Sequence, residues 1–373
     1  MGLSRRQWIK QGSFAALGLG FSLRSIANEE GITRNFGKEA GLINLGSNEN
    51  PYGISSKAKQ AINNLINESN RYQFNVPSLQ SFNQELAGYY KVSTDQLLVT
   101  AGSGAGLAML ARYFSNGNIV TATPTFGILP STAKSIGTKV IEIPLTKEKV
   151  HDLSSLMNAI NDKTSLVYIC NPANPTATML KPDALKNFCR EASKKTTVLV
   201  DEAYLDFLDA PDNESMIGLI ENNPRIIVIK TFSKIHGMAG LRVGFTIGHP
   251  DTIKKLNNSF YQRSQHDCSV LSLGAAKASL EDEEHRKMSK KKNEEAREYT
   301  FNELKKMDYT SYPSFTNFLF FKLNNYKGDF TSDMMKKNIL LRSSEYSDGK
   351  WCRVSVGTMD EMKTFISTLK SFP

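Results

Sequence analysis

The sequence has few cysteines and no hydrophobic run long enough for a permanent membrane helix, and both features narrow the possible functions. The cysteines are far apart and form no CxxC pair, so neither a zinc site nor a disulfide framework is indicated. They are Cys170, Cys189, Cys268 and Cys352. An apolar run from Phe14 to Leu23 is too short to cross a bilayer permanently. We therefore expect buried thiols, no metal site and no permanent membrane span.

A nucleic-acid-binding signature is also missing. The chain has 46 Lys and Arg against 37 Asp and Glu, a net charge of +9 that falls to +5 without residues 1–27. Much of the basic charge lies in 285–306, where acidic and basic residues alternate as on a solvent-exposed helix. No basic patch interleaved with aromatic residues and no recognition-helix motif accompanies it. We expect no nucleic-acid partner.

The first residues have the three-part pattern of an export signal. Arg5 and Arg6 precede the apolar run, and Ser25-Ile26-Ala27 offers small residues for a signal peptidase, which predicts cleavage after Ala27. The segment SRRQWIK resembles a twin-arginine signal, whose translocase carries folded proteins. This predicts a periplasmic or otherwise exported protein, in which one or two disulfides are possible. The alternative is an uncleaved amphipathic anchor at the N-terminus.

Composition and patterning predict an α/β fold. A chain of 373 residues with 40% hydrophobic and 22% charged residues suits one large domain and a smaller one. Short apolar runs at 96–101, 118–123, 138–144, 165–170, 196–203, 226–231 and 243–248 alternate with helical patterns. Such spacing is typical of a mostly parallel sheet covered by helices on both faces, a three-layer α/β/α domain.

The C-terminal part predicts the smaller domain, of α+β type. It begins with a long polar helix and continues with strands at 314–323 and 351–358. We predict a signal peptide over 1–27 and an N-terminal segment, 28–70, that contributes to the small domain. The large domain, whose strand ends are considered next as a cofactor site, covers 71–270, and the small C-terminal domain covers 271–373.

Residues 226–244, IIVIKTFSKIHGMAGLRVG, contain the most informative motif. A buried apolar strand runs into a loop with Ser233 and Lys234, and Arg242 follows. A lysine in this position can form a Schiff base with a carbonyl cofactor, and a hydroxyl with a guanidinium suits a phosphate group. The combination suggests pyridoxal phosphate. An ordinary solvated lysine is the alternative for this pair taken alone.

Two further strand ends carry candidate cofactor contacts. AGSGAGLAML after the strand at 96–101 is a glycine-rich turn entering a helix, so backbone N–H groups near Ser103 and Gly104 can meet an anion. It lacks the lysine of a P-loop, which argues against ATP. Phe126, in PTFG, can stack on an aromatic ring. A tight packing turn and a core phenylalanine are the alternatives.

Polar side chains also follow the next two strands. Asn174 lies in the segment NPANPT, whose prolines make the loop rigid, so it either hydrogen-bonds a ligand or closes the turn. Asp201 ends a buried strand, where a carboxylate needs a cation. A protonated pyridine nitrogen is such a cation, and its protonation makes the pyridoxal ring an electron sink. An Asp that caps the next helix is the alternative.

Taken together, VDEAY, NPANPT, PTFG, the glycine turn and SK…GLRVG resemble the fold-type I aminotransferases that use pyridoxal phosphate. The subgroup most similar in appearance is the histidinol-phosphate aminotransferase family. The resemblance extends over nearly the whole chain after the signal, from NENPYG through RYQ to RVSVGT. It implies an aspartate-aminotransferase-like fold and the transfer of an amino group from an amino acid, or an amino-alcohol phosphate, to a 2-oxo acid.

The resemblance also implies roles for individual residues. Lys234 is the internal aldimine lysine and the base that moves the proton between substrate and cofactor. Asp201 pairs with the pyridine nitrogen, Asn174 and Tyr204 hydrogen-bond the phenolic oxygen, and Phe126 stacks on the ring. The phosphate lies among Ser103, Gly104, Thr231, Ser233 and Arg242. We infer catalytic roles for Lys234, Asp201 and Tyr204.

Substrate and subunit contacts are implied as well. Arg353, in WCRVSVGT, is similar to the arginine that grips the acidic group of the substrate, and Arg342, in ILLRSS, to its second partner. Tyr72, in NRYQF, is similar to the tyrosine that reaches the cofactor phosphate of the neighbouring subunit, which implies a homodimer.

The sequence departs from the family pattern at three places. Ala177 replaces a glycine, which is tolerable only if the position does not need a positive φ. Ser343 replaces an acidic residue that can orient Arg342. The N-terminal arm with its tyrosine is not recognisable before NENPYG. These changes are compatible with catalysis but question histidinol phosphate as the substrate, as does export, because histidine biosynthesis is cytoplasmic.

Two other functions fit the same residues. An amino-acid decarboxylase or racemase would use the same cofactor, because the substrate pocket chooses the bond that breaks. A non-catalytic aminotransferase-like ligand-binding protein is disfavoured, because no DNA-binding module precedes the fold and the signal directs export.

Overall fold

The computed structural model describes residues 41–72, 77–261, 267–324 and 326–372. The predicted signal peptide and its cleavage site lie outside these residues. The strands are β1 (Ile43–Asn44), β2 (Leu97–Thr100), β3 (Asn118–Thr123), β4 (Val140–Pro144), β5 (Thr164–Cys170), β6 (Thr197–Asp201), β7 (Ile226–Thr231), β8 (Gly244–Ile247), β9 (Phe318–Lys322), β10 (Ile339–Leu340), β11 (Arg342–Tyr346) and β12 (Gly349–Ser355).

The helices carry capping residues at many of their N-termini, such as Ser55, Asp152 and Thr358. The α-helices are α1 (Ser56–Leu65), α2 (Pro77–Tyr90), α3 (Ser103–Tyr113), α4 (Ile128–Ser135), α5 (Leu153–Ala159), α6 (Pro182–Ser193), α7 (Pro211–Glu214), α8 (Pro250–Phe260), α9 (Val270–Leu280), α10 (Glu283–Lys306), α11 (Phe330–Met335) and α12 (Met359–Leu369).

The large sheet has the order β2-β8-β7-β6-β5-β3-β4. Strand β8 is antiparallel to both of its neighbours, and the remaining pairs are parallel. The segment between β7 and β8 contains a short 3-10 turn in place of a crossover helix, so the chain reverses direction there. The mostly parallel sheet predicted from the apolar runs is confirmed.

The two faces of this sheet face different layers of helices. On β6, Val198 and Val200 pack on one side with residues of α1, α2, α5, α6 and α9. Leu199, between them, packs on the other side with residues of α3, α4 and α8. This alternation follows from the period of two along a strand. The three-layer α/β/α arrangement is thus built by strands that are apolar on both faces.

The smaller sheet is antiparallel, with the order β11-β12-β9, and its core includes residues of α10, α11 and α12. Strand β1 pairs in parallel with β10, which connects residues 43–44 to this C-terminal region. Helix α1 packs against α9 instead. The predicted domain limits at residues 70 and 270 remain predictions.

All four cysteines are free thiols and buried. Burial raises the pKa of each of these thiols. Among the described helices, none combines the length and apolar character that a membrane span requires.

Candidate active site

The candidate residues converge at one edge of the large sheet. Asp201 ends β6, Asn174 follows β5, and Lys234 follows β7. These strands are parallel, so their carboxyl ends meet at the same edge, where open α/β sheets bind ligands. Strand β12 of the smaller sheet supplies Arg353, which reaches Asn174. The site therefore lies between the two sheets.

Asp201 is almost completely buried, with 1% of its surface exposed. Its Oδ1 accepts the backbone N–H of Ala203 at 3.1 Å, and its Oδ2 accepts the hydroxyl of Tyr168 at 3.2 Å. In the described parts of the chain it forms no ion pair with a side chain. Burial raises the pKa of Asp201 to about 6, against the hydrogen bonds and Lys234, which lower it. A buried carboxylate is costly without a neighbouring cation, so Asp201 is suited to a cationic ligand group.

Tyr204, three residues after Asp201, is also buried and accepts two hydrogen bonds at its hydroxyl oxygen. Asn48 Nδ2 donates at 3.0 Å and Asn174 Nδ2 at 3.2 Å. The ring packs edge-on against Phe318, with centroids 5.1 Å apart. Burial raises the pKa of Tyr204, so the phenol is neutral at physiological pH.

Lys234 is half-buried, and its Nζ donates a hydrogen bond of 3.1 Å to the carbonyl oxygen of Asn48. The same Nζ lies 5.5 Å from the centroid of the Tyr204 ring. Burial and then the positive charge of Arg353 lower the pKa of Lys234 from 10.5 to about 8. A sizeable fraction of this amine is therefore neutral, and nucleophilic, near neutral pH.

Arg353 and Arg342 are direct cross-strand partners on β12 and β11. Both donate to the carbonyl oxygen of Gly46, Arg353 from Nη2 at 2.7 Å and Arg342 from Nε at 2.9 Å. Arg353 also donates from Nη1 to Asn174 Oδ1 at 2.9 Å. Its Nε is buried without a hydrogen-bond partner in the described structure, and the two bonds use one N–H each of Nη1 and Nη2, so the guanidinium has donors left for an acidic ligand.

A second cationic group lies at the N-terminus of α3. Arg242 has a φ of 54°, and its guanidinium lies over Gly102, where an added Cβ would overlap Nη2. Helix α3 begins at Ser103, the next residue, followed by Gly104. At the end of β7, Thr231 Oγ1 donates to the Oγ of Ser233, in the loop that follows, at 3.0 Å. An arginine beside the N-terminus of a helix forms an anion-binding site.

Phe126 lines a cavity of about 350 Å³. The lining also includes three of the polar candidates, Asn174, Arg342 and Arg353, but not Lys234, Asp201 or Tyr204. A larger cavity, of about 640 Å³, is lined by Tyr89, His249 and their neighbours and by none of the candidate residues. The predicted subunit contact, Tyr72, has 78% of its surface exposed on this chain.

The structure shows the surroundings of Ala177 and Ser343, the two residues that differ from the family pattern. Ala177 has a φ of 61°, so the position does adopt the conformation that favours glycine, and alanine is strained there. Ser343 Oγ bonds Thr331 Oγ1 at 2.8 Å, and Arg342 Nε donates to Gly46 O and forms no ion pair with an acidic residue of the described ranges.

Three residues of the site received no role from the sequence. Asn48 touches both Tyr204 and Lys234, Tyr168 bonds Asp201, and Ser355 bonds Asn48. Asn48 lies within NENPYG, so the motif was a usable signal. Tyr168 lies inside an apolar strand, where no sequence pattern distinguishes it from a core residue.

Comparison with known proteins gives the family. The aminotransferase class I and II family matches residues 40–369. The chain is 32% identical over 348 residues to histidinol-phosphate aminotransferase 1 of Bacillus cereus, covering 92% of each protein. It is 33% identical over 344 residues to the histidinol-phosphate aminotransferase of Brevibacillus brevis, covering 91% of this chain and 92% of the relative.

Solved structures share the fold. The histidinol-phosphate aminotransferase of Sinorhizobium meliloti, in complex with pyridoxal-5'-phosphate, has a TM-score of 0.82 at 22% identity, over 95% of this chain and 98% of that one. The enzyme of Clostridium acetobutylicum has a TM-score of 0.80 at 22% identity, over 88% and 98%. At this identity the likeness concerns the fold alone.

The chain belongs to the class I and II aminotransferases. It is a transaminase that depends on pyridoxal phosphate, and the predicted fold and function are confirmed.

The residues present fit this cofactor. Asp201 is a buried carboxylate without a side-chain ion pair among the described residues, which suits a protonated pyridine nitrogen. Arg242 over Gly102, beside the start of α3, suits the phosphate. Lys234, with its lowered pKa, suits the aldehyde.

Proposed function

We propose that Lys234 is the residue that carries the cofactor and moves the proton during amino transfer from an amino acid, or an amino-alcohol phosphate, to a 2-oxo acid. The observation that carries this proposal is the convergence of Lys234, Tyr204 and Arg353 around Asn48 and Asn174. An amine, a phenol and a guanidinium are thereby held close together by one hydrogen-bond network.

Pyridoxal phosphate supplies an electron sink that stabilises negative charge on the substrate carbon next to nitrogen. Asp201 would hold the pyridine nitrogen protonated. Asn174 and Tyr204 would hydrogen-bond the phenolic oxygen, and Phe126 would cover one ring face. The phosphate would be bound by Ser103, Gly104, Thr231, Ser233 and Arg242.

Arg353 and Arg342 would bind the acidic group of the substrate. Both guanidinium groups donate to Gly46 O, and Nη1 and Nη2 of Arg353 each keep a further N–H for the substrate. Because a carboxylate and a phosphate both accept such bonds, the pair favours amino donors with either group. The names of the relatives make histidinol phosphate one donor to test, beside ordinary amino acids.

The proposed role of Lys234 is tested by reduction with borohydride. In the wild-type protein loaded with pyridoxal phosphate, reduction should leave the cofactor attached to the tryptic peptide that contains residue 234. The Lys234→Ala variant should keep the fold and lose the attachment. Attachment at another lysine, or equal labelling of both proteins, would refute the proposal.

The reaction is tested with mixtures of amino donors and 2-oxo acids. We expect the nitrogen to move from donor to acceptor. Release of carbon dioxide, or formation of the opposite enantiomer, without transfer would instead favour a decarboxylase or racemase. An Asp201→Ala variant should keep the attachment at Lys234 and lose turnover by about a factor of 10³.

We also propose a homodimer in which Tyr72 completes the partner's site. Its support is the resemblance of NRYQF and the exposure of Tyr72. Mixing Tyr72→Ala with Lys234→Ala subunits is the test, since heterodimers would then contain one site with neither change. Activity that returns on mixing supports the proposal. A wild-type protein that is a monomer in analytical ultracentrifugation, or mixed dimers that remain inactive, would contradict it.

Finally, we propose export by the twin-arginine translocase, with cleavage after Ala27. The support is the pattern of residues 1–27. The mature N-terminus of exported protein should begin at residue 28, and Arg5→Lys/Arg6→Lys should block export. A retained N-terminus in exported material would contradict the cleavage.

A further inference from the structure

The hydroxyl group of Tyr204 has an unusual set of neighbours. Its oxygen accepts one N–H from Asn48 and one from Asn174, at 3.0 and 3.2 Å. A phenol has one proton to donate and limited acceptor capacity. With both accepting directions used, the proton must point away from the two asparagines.

Each of the two amides has a partner at its other end. Arg353 Nη1 donates to the Oδ1 of Asn174 at 2.9 Å, and because arginine has no acceptor, the amide nitrogen of Asn174 must face Tyr204. Ser355 Oγ accepts the backbone N–H of Asn48 at 2.7 Å, and its own proton goes to Asn48 Oδ1 at 3.1 Å. A flipped Asn48 amide would lose the bond that Ser355 donates to Oδ1 and would turn its own oxygen toward Tyr204, so Ser355 favours the orientation in which Nδ2 donates to Tyr204.

We infer that Asn48, oriented by Ser355, is a positioning residue that fixes the direction in which Tyr204 donates its hydroxyl proton. The inference rests on the proposed function, in which that proton is donated to the phenolic oxygen of pyridoxal phosphate. Asn48 acts through Tyr204, and Ser355 acts through Asn48.

The backbone of Asn48 supports this role. Its φ is 53°, a conformation that asparagine adopts more readily than most residues. The side chain is buried, with 1% exposed, and the carbonyl oxygen accepts from Lys234 Nζ and, at 3.0 Å, from Asn317 Nδ2. Bonds on its N–H, its C=O and both ends of its amide leave Asn48 little freedom to turn.

The charged and titratable groups that face Tyr204 are Arg353, Cys170, Asp201 and Lys234. Asn48 and Ser355 are neutral, so their replacement by alanine removes hydrogen bonds without changing any of these charges. An effect of Ser355→Ala on the cofactor can therefore be assigned to hydrogen bonding, whereas Asn48→Ala also places alanine at a φ of 53° and adds backbone strain next to Lys234.

The test uses the protein loaded with pyridoxal phosphate and measures the pH at which its visible absorbance has changed by half. A bond donated to the phenolic oxygen favours the deprotonated form, so its loss raises this midpoint. We expect Tyr204→Phe to raise it by about one pH unit. Ser355→Ala and Asn48→Ala should each raise it by part of that shift, because the proton of Tyr204 is no longer directed.

Variants combined with Tyr204→Phe show whether the effect passes through Tyr204. Ser355→Ala and Asn48→Ala should each add nothing to the midpoint in the Tyr204→Phe background. Equal shifts in both backgrounds, or no shift from Ser355→Ala in an otherwise wild-type chain, would overturn the inference. If Tyr204→Phe itself causes no shift, the proposed cofactor contact of Tyr204 fails, which is a separate outcome.

A matched control is Ser193→Ala on α6. Ser193 is also buried, and its hydroxyl donates to the carbonyl of Arg190 at 3.0 Å, within the same helix. We expect a small loss of thermal stability and an unchanged midpoint. Thermal unfolding of each cofactor-free variant shows that it is folded, and an equal midpoint shift in Ser193→Ala would count against the inference.

Discussion

Arg353 and Asn174 are joined by a hydrogen bond of 2.9 Å from Nη1 to Oδ1, although 179 residues separate them in the chain. The bond joins the smaller sheet to the loop after β5 of the large sheet. Since Asn174 also bonds Tyr204, the proposed substrate-binding arginine and the proposed cofactor contacts form one continuous network.

Replacing Arg353 by lysine should weaken the binding of acidic substrates. The donors of a lysine converge on one compact ammonium group, which lacks the planar fork with which Arg353 reaches Gly46 O and Asn174 Oδ1 at once and still offers donors to a substrate acid. We expect the KM of an acidic amino donor to rise by about 10 to 100 fold, with a smaller change in kcat. Arg342→Lys, at an exposed position, should have a weaker effect. Equal losses for a donor whose acid is replaced by an amide would contradict this role.

The stability of the cofactor-free protein should fall as pH rises, in part because of Asp201. Its pKa is about 6 in the folded chain and 3.8 as the ordinary value, so the folded state holds the proton more tightly. The stabilisation is complete below pH 3.8 and is lost by the time the pH has passed 6.

The Asp201→Asn variant, a neutral isostere, measures this effect. Relative to the wild type, it should gain on the order of 2 kcal/mol of unfolding free energy between pH 4 and pH 7. Urea unfolding of both cofactor-free proteins at the two pH values gives the comparison. A difference that does not vary with pH would show that Asp201 titrates normally.

Uptake of pyridoxal phosphate should depend on the pKa of Lys234. Only the neutral amine attacks an aldehyde, so the uptake rate of the cofactor-free protein should rise with pH through a midpoint near 8, rather than 10.5. Removing the positive charge in Arg353→Met should move the midpoint upward, because that charge lowers the pKa of Lys234. A midpoint unchanged by this variant would argue against the electrostatic cause.

Much of this site could be predicted from the sequence because its residues follow buried strands. Apolar runs identify the strands, and a polar residue at the end of such a run, as with Asp201 and Asn174, must lie at the carboxyl edge of a parallel sheet. The large sheet itself was predictable for the same reason, since its strands are apolar on both faces.

Contacts between distant segments could not be predicted in this way. Asn48 and Ser355 are 307 residues apart in the chain, and no local pattern in NENPYG or RVSVGT predicts the hydrogen bonds between them. The conformation of Ala177 was equally hidden, because a positive φ at alanine follows from the tertiary structure and opposes the preference of the residue.

In the segment between β7 and β8, residues 232–243, which contains Lys234, Gly237 should be the position that is least tolerant of a side chain. Its φ is 68°, and a Cβ there would overlap the carbonyl oxygen of Gly53. The segment that contains Gly53 also supplies Asn48, and Asn50 Nδ2 donates to Ile235 O at 2.9 Å. A side chain at Gly237 must therefore push this segment away from Lys234.

Gly137 is the matched control, because its φ is 82° and an added Cβ would meet nothing within 4 Å. Gly137→Ala should cost about 1 kcal/mol of unfolding free energy, from the backbone conformation alone. Gly237→Ala should cost about 3 kcal/mol or more, because backbone must also move, and should weaken cofactor binding. Denaturant unfolding and cofactor titration measure both effects. Equal losses in the two variants would mean that the close approach of Gly53 to the Lys234 loop does not constrain the site.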